Sequence, residues 1–386
     1  TQFTNVAMAW QIYELTDSVT QIGLLGLARA LPQMGLVLFG GLLADTFDRR
    51  QLLMSTQLAQ FFVSGALCLL SLLQAIAPWH LFAASALLAL FTALGGPARQ
   101  SFIPSLVPRA HLSNAIALNN TQRNVGQIAG PSLAGLLLAA TGAAWCYAVD
   151  AVSWFAIVIA LLLVHTRQAQ DVGRRGIALD ALREGFRFSL SQPVLLALIV
   201  LDFGANFFGA PRALLPVYAR DVFQVGANGL GMMYAASSVG AVAAALVLST
   251  RGEPRRAGIG ALGGLAFYGF CIAGFALSPS FWLALVMLAG MGAGDTVNAV
   301  LRMTIVQLVT PDALRGRVSS LNSVFTAGGP QLGQFRSGIV ADWWGPSASA
   351  LSGGLATLLL VAGVACVPAV RRFRITPAGV PEPVRS

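Results

Sequence analysis

Apolar residues run along this chain in long stretches, and polar residues gather in short breaks between them. Residues 57–77, 80–95, 143–164, 231–249, 258–277, 281–294 and 347–367 each form such a stretch with at most one acidic or basic residue. The hydrophobicity is continuous rather than alternating, which indicates helices and not barrel strands. A helix needs about 20 mostly apolar residues to cross a bilayer, and lipid offers the backbone no hydrogen-bond partner outside the helix itself. The pattern predicts spans at 1–15, 19–43, 52–76, 80–104, 111–140, 144–165, 193–219, 228–250, 257–278, 281–303, 317–341 and 346–368, twelve in all. The first is short for a crossing and the chain opens on Thr1, so the start of that helix is expected upstream of the sequence. No cleavable signal peptide is visible.

Composition agrees with an all-α integral membrane protein. Of 386 residues, 56% are hydrophobic and 10% are charged, against about 25% charged in a soluble domain. The net charge is +9, every basic residue among the 24 is Arg, and 19 of them fall in alternate loops and the C-terminal tail. These are Arg49 and Arg50; Arg99 and Arg109; Arg167, Arg174, Arg175, Arg183 and Arg187; Arg251, Arg255 and Arg256; Arg302, Arg315 and Arg317; then Arg371, Arg372, Arg374 and Arg385. The intervening loops hold only Arg220. Positive loops stay cytoplasmic, so a multi-pass protein of a bacterial inner membrane with both termini inside is expected. The basicity sets topology and does not mark a nucleic-acid partner. Four cysteines and three histidines are scattered without disulfide or metal spacing, and no metal or cofactor is expected.

The longest polar stretch, 165–192, divides six predicted helices from six. The expected organisation is an N-terminal bundle over 1–166, a cytoplasmic linker over 167–192, a C-terminal bundle over 193–370 and a tail over 371–386. In the linker, Ala178, Leu182, Phe186 and Leu190 share one helical face, which suits a helix lying on the membrane surface. The halves are related in sequence. An offset of 203 pairs Arg99 with Arg302, Pro108 with Pro311, Ala110 with Ala313, Leu118 with Leu321, Asn119 with Asn322, Gly126 with Gly329 and Gly130 with Gly333. Two parallel six-helix repeats are the plan of the major facilitator transporters.

The stretch "GGLLADTFDRR" places Gly41, Asp45, Arg49 and Arg50 as in the loop 2–3 signature of the major facilitator superfamily, which it resembles; Thr46 and Asp48 depart from that signature. "PARQSFIPSLVPRAHLSNAIALNN", "GPSLAGLLL", "AWCYAVDAVSWFA" and the "RRFRITP" tail resemble the branch of enterobactin exporters and macrolide efflux proteins. The resemblance covers nearly the whole chain and implies the superfamily fold and an exporter's activity. Physically, Asp45 is placed to accept from Arg49 one turn on and to face a helix N-terminus of the other half. Such a latch of about 0–1 kcal/mol per exposed pair can open in every cycle. Simple positive-inside anchoring accounts for the arginines but not for Asp45 or the glycines.

Helix 5 carries a second constellation. Asn119, Arg123, Gly126, Gly130 and Ala134 share one stripe, and "GQIAGPSLAG" (Gly126, Gly130, Pro131, Gly135) resembles the antiporter motif of superfamily exporters, with Ala134 in place of a glycine. Small residues at this spacing let helices approach closely, so an ordinary packing seam is an open alternative. Pro131 removes a backbone donor and bends the helix. Intramembrane charges are costly and usually face a cavity. Asp202, Asp295, Arg123, Arg29 and Asp150 are therefore candidates for proton coupling, with Arg212 and Arg336 further charges within the helices. A static ion pair with Arg29, Arg123 or Arg302 is the alternative for either Asp202 or Asp295. Trp10, Tyr13, Gln33, Asn119, Asn206, Phe207, Tyr234 and Asn298 are candidates to line a substrate site made of aromatics and amides rather than charges, suited to a bulky amphiphile.

These features predict a monomeric, secondary active exporter of an amphiphilic small molecule, a drug or a siderophore, driven by a proton gradient through alternating access. An importer or uniporter on the same fold, and a non-transporting membrane protein, are the competing readings. The sequence shows no HExxH, no Gly-Lys-Ser/Thr phosphate loop and no nucleophile–base spacing, so no enzymatic activity is expected.

Overall fold

A computed structural model describes residues 1–44, 49–102, 106–108, 111–163, 186–209, 211–251, 256–311 and 314–373. The chain runs through helices α1 (Gln2–Thr16), α2 (Val19–Ala44), α3 (Arg49–Leu72), α4 (Pro78–Phe102), α5 (Leu112–Thr141) and α6 (Ala143–Leu163). After the linker come α7 (Pro193–Phe208), α8 (Gly226–Arg251), α9 (Ala257–Ala276), α10 (Phe281–Val309), α11 (Arg315–Trp344) and α12 (Pro346–Ala365). Among the described residues eight helices are long and apolar enough to cross a membrane, and no strand occurs. The expected amphipathic linker helix lies largely outside the described residues, of which 186–191 are helical.

The internal repeat extends to the helix boundaries. Helices α4, α5 and α6 begin at Pro78, Leu112 and Ala143, and α10, α11 and α12 begin 203 residues later at Phe281, Arg315 and Pro346. Both α5 and α11 contain one interior proline, Pro131 and Pro330, and both stop on a glycine of positive φ, Gly142 at 87° and Gly345 at 83°. That conformation is accessible to glycine without a Cβ penalty, and it sends the chain straight into the next helix.

The sequence predicts one helix over 193–219, and the structure corrects this. Helix α7 stops at Phe208, and the chain continues through a 3-10 turn (Pro211–Ala213) and short helical turns over 215–222. Pro211 has no N–H to donate and disfavours helical geometry at the residue before it. The break strands the carbonyls of Phe208 and Gly209. Arg336 of α11 donates through Nη1 to Phe208 O at 3.1 Å, and Tyr268 Oη of α9 donates to Gly209 O. Arg336 also donates from Nη2 to Ser352 Oγ at 2.7 Å. This intramembrane arginine thus replaces hydrogen bonds that the broken helix cannot make.

The two halves meet unequally at their two ends. Near the Arg-poor loops one continuous buried cluster runs from Ile12 and Tyr13 in α1 through Leu214, Tyr218 and Phe275 to Leu288 in α10. Near the Arg-rich loops the buried residues form separate clusters, Leu53, Ala98, Phe102 and Leu161 in the first half and Leu195, Leu265, Leu301 and Val361 in the second. Helix α5 shows the same contrast along its length. Residues 121–127 are all exposed and a side chain added at Gly126 would meet nothing within 4 Å, whereas Ala134 and Gly135 are buried and a side chain on Gly135 would strike the Gly231 backbone of α8. On the other seam, side chains added at Gly23 and Gly26 of α2 would meet α11 at 3.0 Å. Among the described residues the halves are therefore closed at the Arg-poor end and parted at the Arg-rich end.

Forcing side chains into a filled contact costs about 1–3 kcal/mol. Gly135→Val is accordingly expected to lower the thermal unfolding midpoint of the purified chain, and Gly126→Val, on the same helix, to leave it unchanged.

Candidate functional site

A cavity of about 480 Å³ lies between the halves, lined by residues of both. Helix α2 contributes Arg29 and Gln33, α4 contributes Ser85, and α5 contributes Gln127 and Pro131. From the second half come Arg212 at the α7 break, Tyr234 and Ser237 of α8, Asp295 of α10, and Gln331 and Gln334 of α11. A smaller adjoining space of about 90 Å³ is reached past Asn206, Gly209 and Tyr268. Pro131 lies where α5 passes the cavity, and the α7 break turns Arg212 toward it. Interruptions of this kind concentrate at binding sites in transporters because unwound backbone and half-helix ends are tolerated only beside a cavity.

The expected lining of aromatics and amides is only partly what the structure provides. Gln33 and Tyr234 line the main cavity and Asn206 the smaller one. Trp10 is core, and Phe207 stacks between Phe203 and Phe208. Asn298 is 3% exposed and donates to Ala261 O at 3.0 Å, tying α10 to α9. Asn119 lies on the parted end of α5 and lines neither space. The charges Arg29, Arg212 and Asp295 were expected in the helices but not as the wall of a substrate space. Periodicity assigns a residue to a helix face, but not to the neighbour that the face meets.

The candidate coupling residues separate into three environments. Asp202 is committed: Arg302 Nη2 lies 3.0 Å from its Oδ1, Thr326 Oγ1 donates to Oδ2 at 3.2 Å, and both charged side chains are under 10% exposed. Asn206 donates to Asp202 as well, and Asn322 accepts from Arg302 at 3.1 Å. This cluster joins α7, α10 and α11 inside the second half. Asp150 is likewise held by fixed donors, accepting from Thr4 Oγ1 at 2.6 Å, Trp154 Nε1 at 3.1 Å and Ser64 Oγ at 3.3 Å. Asp295 differs, since it faces the cavity and, among the described residues, makes no ion pair. Arg123 is exposed on the parted end of α5.

Of the expected latch, Asp45 lies outside the described residues, and nothing is described of the Gly41 and Arg49 side-chain positions beyond their helices. Arg50 donates to Leu161 O through Nη2 at 2.8 Å and to Leu162 O at 3.3 Å, so it caps the C-terminal carbonyls of α6 within its own half. In the glycine motif, Gly130 packs on the Gln2 side chain and Gly135 on Gly231.

The Arg-poor end carries an ionic closure that the sequence reading did not assemble. Arg220 Nη1 lies 2.6 Å from Asp17 Oδ1, donates to Tyr13 O at 3.3 Å, and its guanidinium stands 5.4 Å from the Tyr13 ring centre. Tyr13 Oη donates to Asp221. Tyr13, expected against substrate, is therefore part of this closure. Across the second seam Asp342 of α11 accepts from the backbone nitrogens of Val19 at 3.1 Å and Thr20 at 3.2 Å, and from Ser18 Oγ at 3.3 Å. A carboxylate from one half thus caps the N-terminus of α2 in the other, satisfying orphan N–H groups and complementing the helix dipole. The sequence signal was present in Arg220, the lone arginine of its side, beside Asp17 and Asp221.

Comparison with known proteins places this geometry in context. A family model described as transmembrane secretion effector matches residues 1–378. Enterobactin exporters of Shigella boydii serotype 18 and Escherichia fergusonii are 30% identical over 377 residues, covering 97% of this chain and 90% of each relative. A solved bacterial homolog of the human lysosomal transporter Spinster, in an inward-facing and unoccupied conformation, superposes with a TM-score of 0.70 at 16% identity over 97% of both chains. A bacterial homologue of the iron transporter ferroportin in an inward-facing state gives 0.65 at 16% identity, covering 94% of this chain and 96% of that one.

Removing one member of a buried ion pair costs about 3–5 kcal/mol, because it strands the other charge. Arg302 lacks any other described carboxylate partner, so Asp202→Ala is expected to destabilise the purified chain strongly in thermal unfolding. The double replacement Asp202→Ala with Arg302→Ala should recover much of the loss.

Proposed function

Because the chain belongs to the transmembrane secretion effector family, a family of major facilitator transporters and not of enzymes, we propose that it exports a siderophore-like amphiphilic small molecule across the inner membrane in exchange for protons. The observation that carries this reading is the cavity between the halves, closed by Arg220, Asp17, Tyr13 and Asp221 at one end and, among the described residues, flanked by the exposed stretch of α5 at the other. The Arg-rich loops are cytoplasmic by the positive-inside rule, which puts both termini inside and makes the described state inward-facing. Solute enters from the cytoplasm among Gln33, Gln127, Gln331 and Gln334. The halves then rock, the Arg-poor end opens, and the solute leaves outward. In that second state Gly41, Asp45 and Arg49 close the cytoplasmic end. One chain encloses the whole path, so the working unit is a monomer.

Asp295 carries the coupling proton. It reaches the same cavity as the solute and, among the described residues, makes no ion pair that would hold it charged. Asp202 instead holds the second half together through Arg302, and Asp150 is held by fixed donors. The likeness to enterobactin exporters supports a siderophore-like substrate, and the two organic faces of the cavity, Met8 and Leu88 beside the amides, suit an amphiphile.

Everted vesicles test the proposal directly. Adding enterobactin should dissipate an imposed pH gradient in vesicles holding the wild-type chain, and Asp295→Asn should abolish this while the protein is still produced. Gradients that survive enterobactin addition in wild-type vesicles count against proton exchange, and unchanged coupling in Asp295→Asn counts against that residue.

A further inference from the structure

The charges around the cavity do not balance locally. Asp295 shares the cavity wall with the Arg212 guanidinium, and Asp150 is held by donors from three residues. Arg29 has no carboxylate within ion-pair distance among the described residues. Its described contacts are Nε to Ser85 Oγ at 2.9 Å and Nη2 to Met8 Sδ at 3.9 Å, both within the first half. A guanidinium has five N–H donors in a planar fork, so most of its capacity remains unspent. The neighbouring Ser85 hydroxyl is fixed by donating to Leu25 O at 3.3 Å, which holds it as an acceptor toward Arg29. The side chain is thus oriented by its own half, enclosed, and left facing open space on the cavity wall.

Burying a guanidinium without a counter-charge is unfavourable unless something supplies one. A solute that brings an anion supplies it. The surroundings define that solute further. Gln33 lies one turn beyond Arg29 on α2, and Gln331 and Gln334 approach from α11, whose backbone touches Gly26. Met8, Leu88, Ile128 and the Trp154 ring supply apolar wall beside them.

We propose that Arg29 is the binding site for an anionic group, of the carboxylate class, on the exported amphiphile. The apolar body of the solute lies against Met8, Leu88, Ile128 and Trp154, and the glutamines take its neutral polar groups. The site rests on the export reading and deepens it by fixing the charge class of its substrate; it moves Arg29 from the coupling candidates to substrate binding and leaves the proton to Asp295. An anion moving from the cytoplasm to the outside also travels with an inside-negative potential, so the field assists its export.

The test is equilibrium binding of two matched probes to the purified full-length chain in detergent. Dansylglycine carries a carboxylate, and dansylglycinamide is the same amphiphile without the charge. Energy transfer from the protein's tryptophans to the dansyl group distinguishes bound probe from probe dissolved in micelles. A charge-assisted hydrogen bond contributes enough to favour the carboxylate by about tenfold. Arg29→Gln is expected to erase that preference while leaving dansylglycinamide affinity unchanged, and Arg29→Lys to keep most of it. Equal affinities of the wild-type chain for the two probes, binding of neither, or a preference that survives Arg29→Gln would each overturn the proposal. Arg212→Gln, which removes the other arginine of the cavity wall, is expected to keep the preference, and its loss there would overturn the proposal even where Arg29→Gln fails to fold. No gradient or transport enters the measurement, so failed enterobactin efflux with an intact carboxylate preference would sink the export reading alone.

Discussion

The closure at the Arg-poor end is the constraint on which the rest of the arrangement depends. Two helical halves can share a cavity only if they are fastened somewhere, and here the fastening is at one end. It combines a cross-half apolar cluster, glycine contacts that let α5 approach α8 and α2 approach α11, the cap that Asp342 places on α2, and the Arg220 network. The polar parts are individually weak. Arg220 and Asp17 are 38% and 73% exposed, and exposed pairs contribute about 0–1 kcal/mol each. A seal assembled from several small terms and an apolar contact is firm in one state and separable at modest cost.

The second half is also built to stay rigid around a defect. The break at Gly209 aims Arg212 into the cavity but strands two carbonyls, and Arg336 and Tyr268 satisfy both from neighbouring helices. About two turns earlier in α7, Asp202 and Arg302 cross-link α7 to α10, with Asn322 and Thr326 drawing in α11. The repeat makes the contrast between halves instructive. Arg99 and Asn119 stand at the positions equivalent to Arg302 and Asn322, yet Arg99 is exposed on the parted side. Equivalent positions have diverged into a structural anchor in one half and a surface cation in the other. This leaves Arg29, Arg212 and Asp295 as charges on the cavity wall without an ion pair among the described residues.

Much of this was legible in the sequence, because burial in lipid imposes a pattern that tolerates few alternatives. Eleven of the twelve expected segments coincide with helices, eight helices among the described residues are long and apolar enough to cross a membrane, and the offset of 203 that relates Arg99 to Arg302 also relates the starts of α4 to α6 and α10 to α12. What the sequence did not disclose is pairing between distant segments. Asp342 caps a helix more than 300 residues away, and Tyr13, which looked like a substrate aromatic, answers Asp221 instead. The α7 break was readable in principle, since Gly209, Pro211 and Pro216 stand within eight residues, but the high apolarity of that stretch masked it. The charged character of the cavity was hidden for the same reason as the closure: an arginine's cost in lipid says that it avoids lipid, not which space it enters.

The central claim is that the Arg-poor end must open for the cavity to be reached from that face. In a chain with Cys68, Cys146, Cys271 and Cys366 replaced, Asp17→Cys and Arg220→Cys place a removable cross-link across the closure, and Ser237→Cys reports from the cavity wall. The cysteine at 237 is reacted with a membrane-impermeant thiol reagent applied only to the Arg-poor face. The account predicts that cross-linking 17 to 220 stops the labelling and that releasing the link restores it. Labelling that proceeds at the same rate through the locked closure would contradict it.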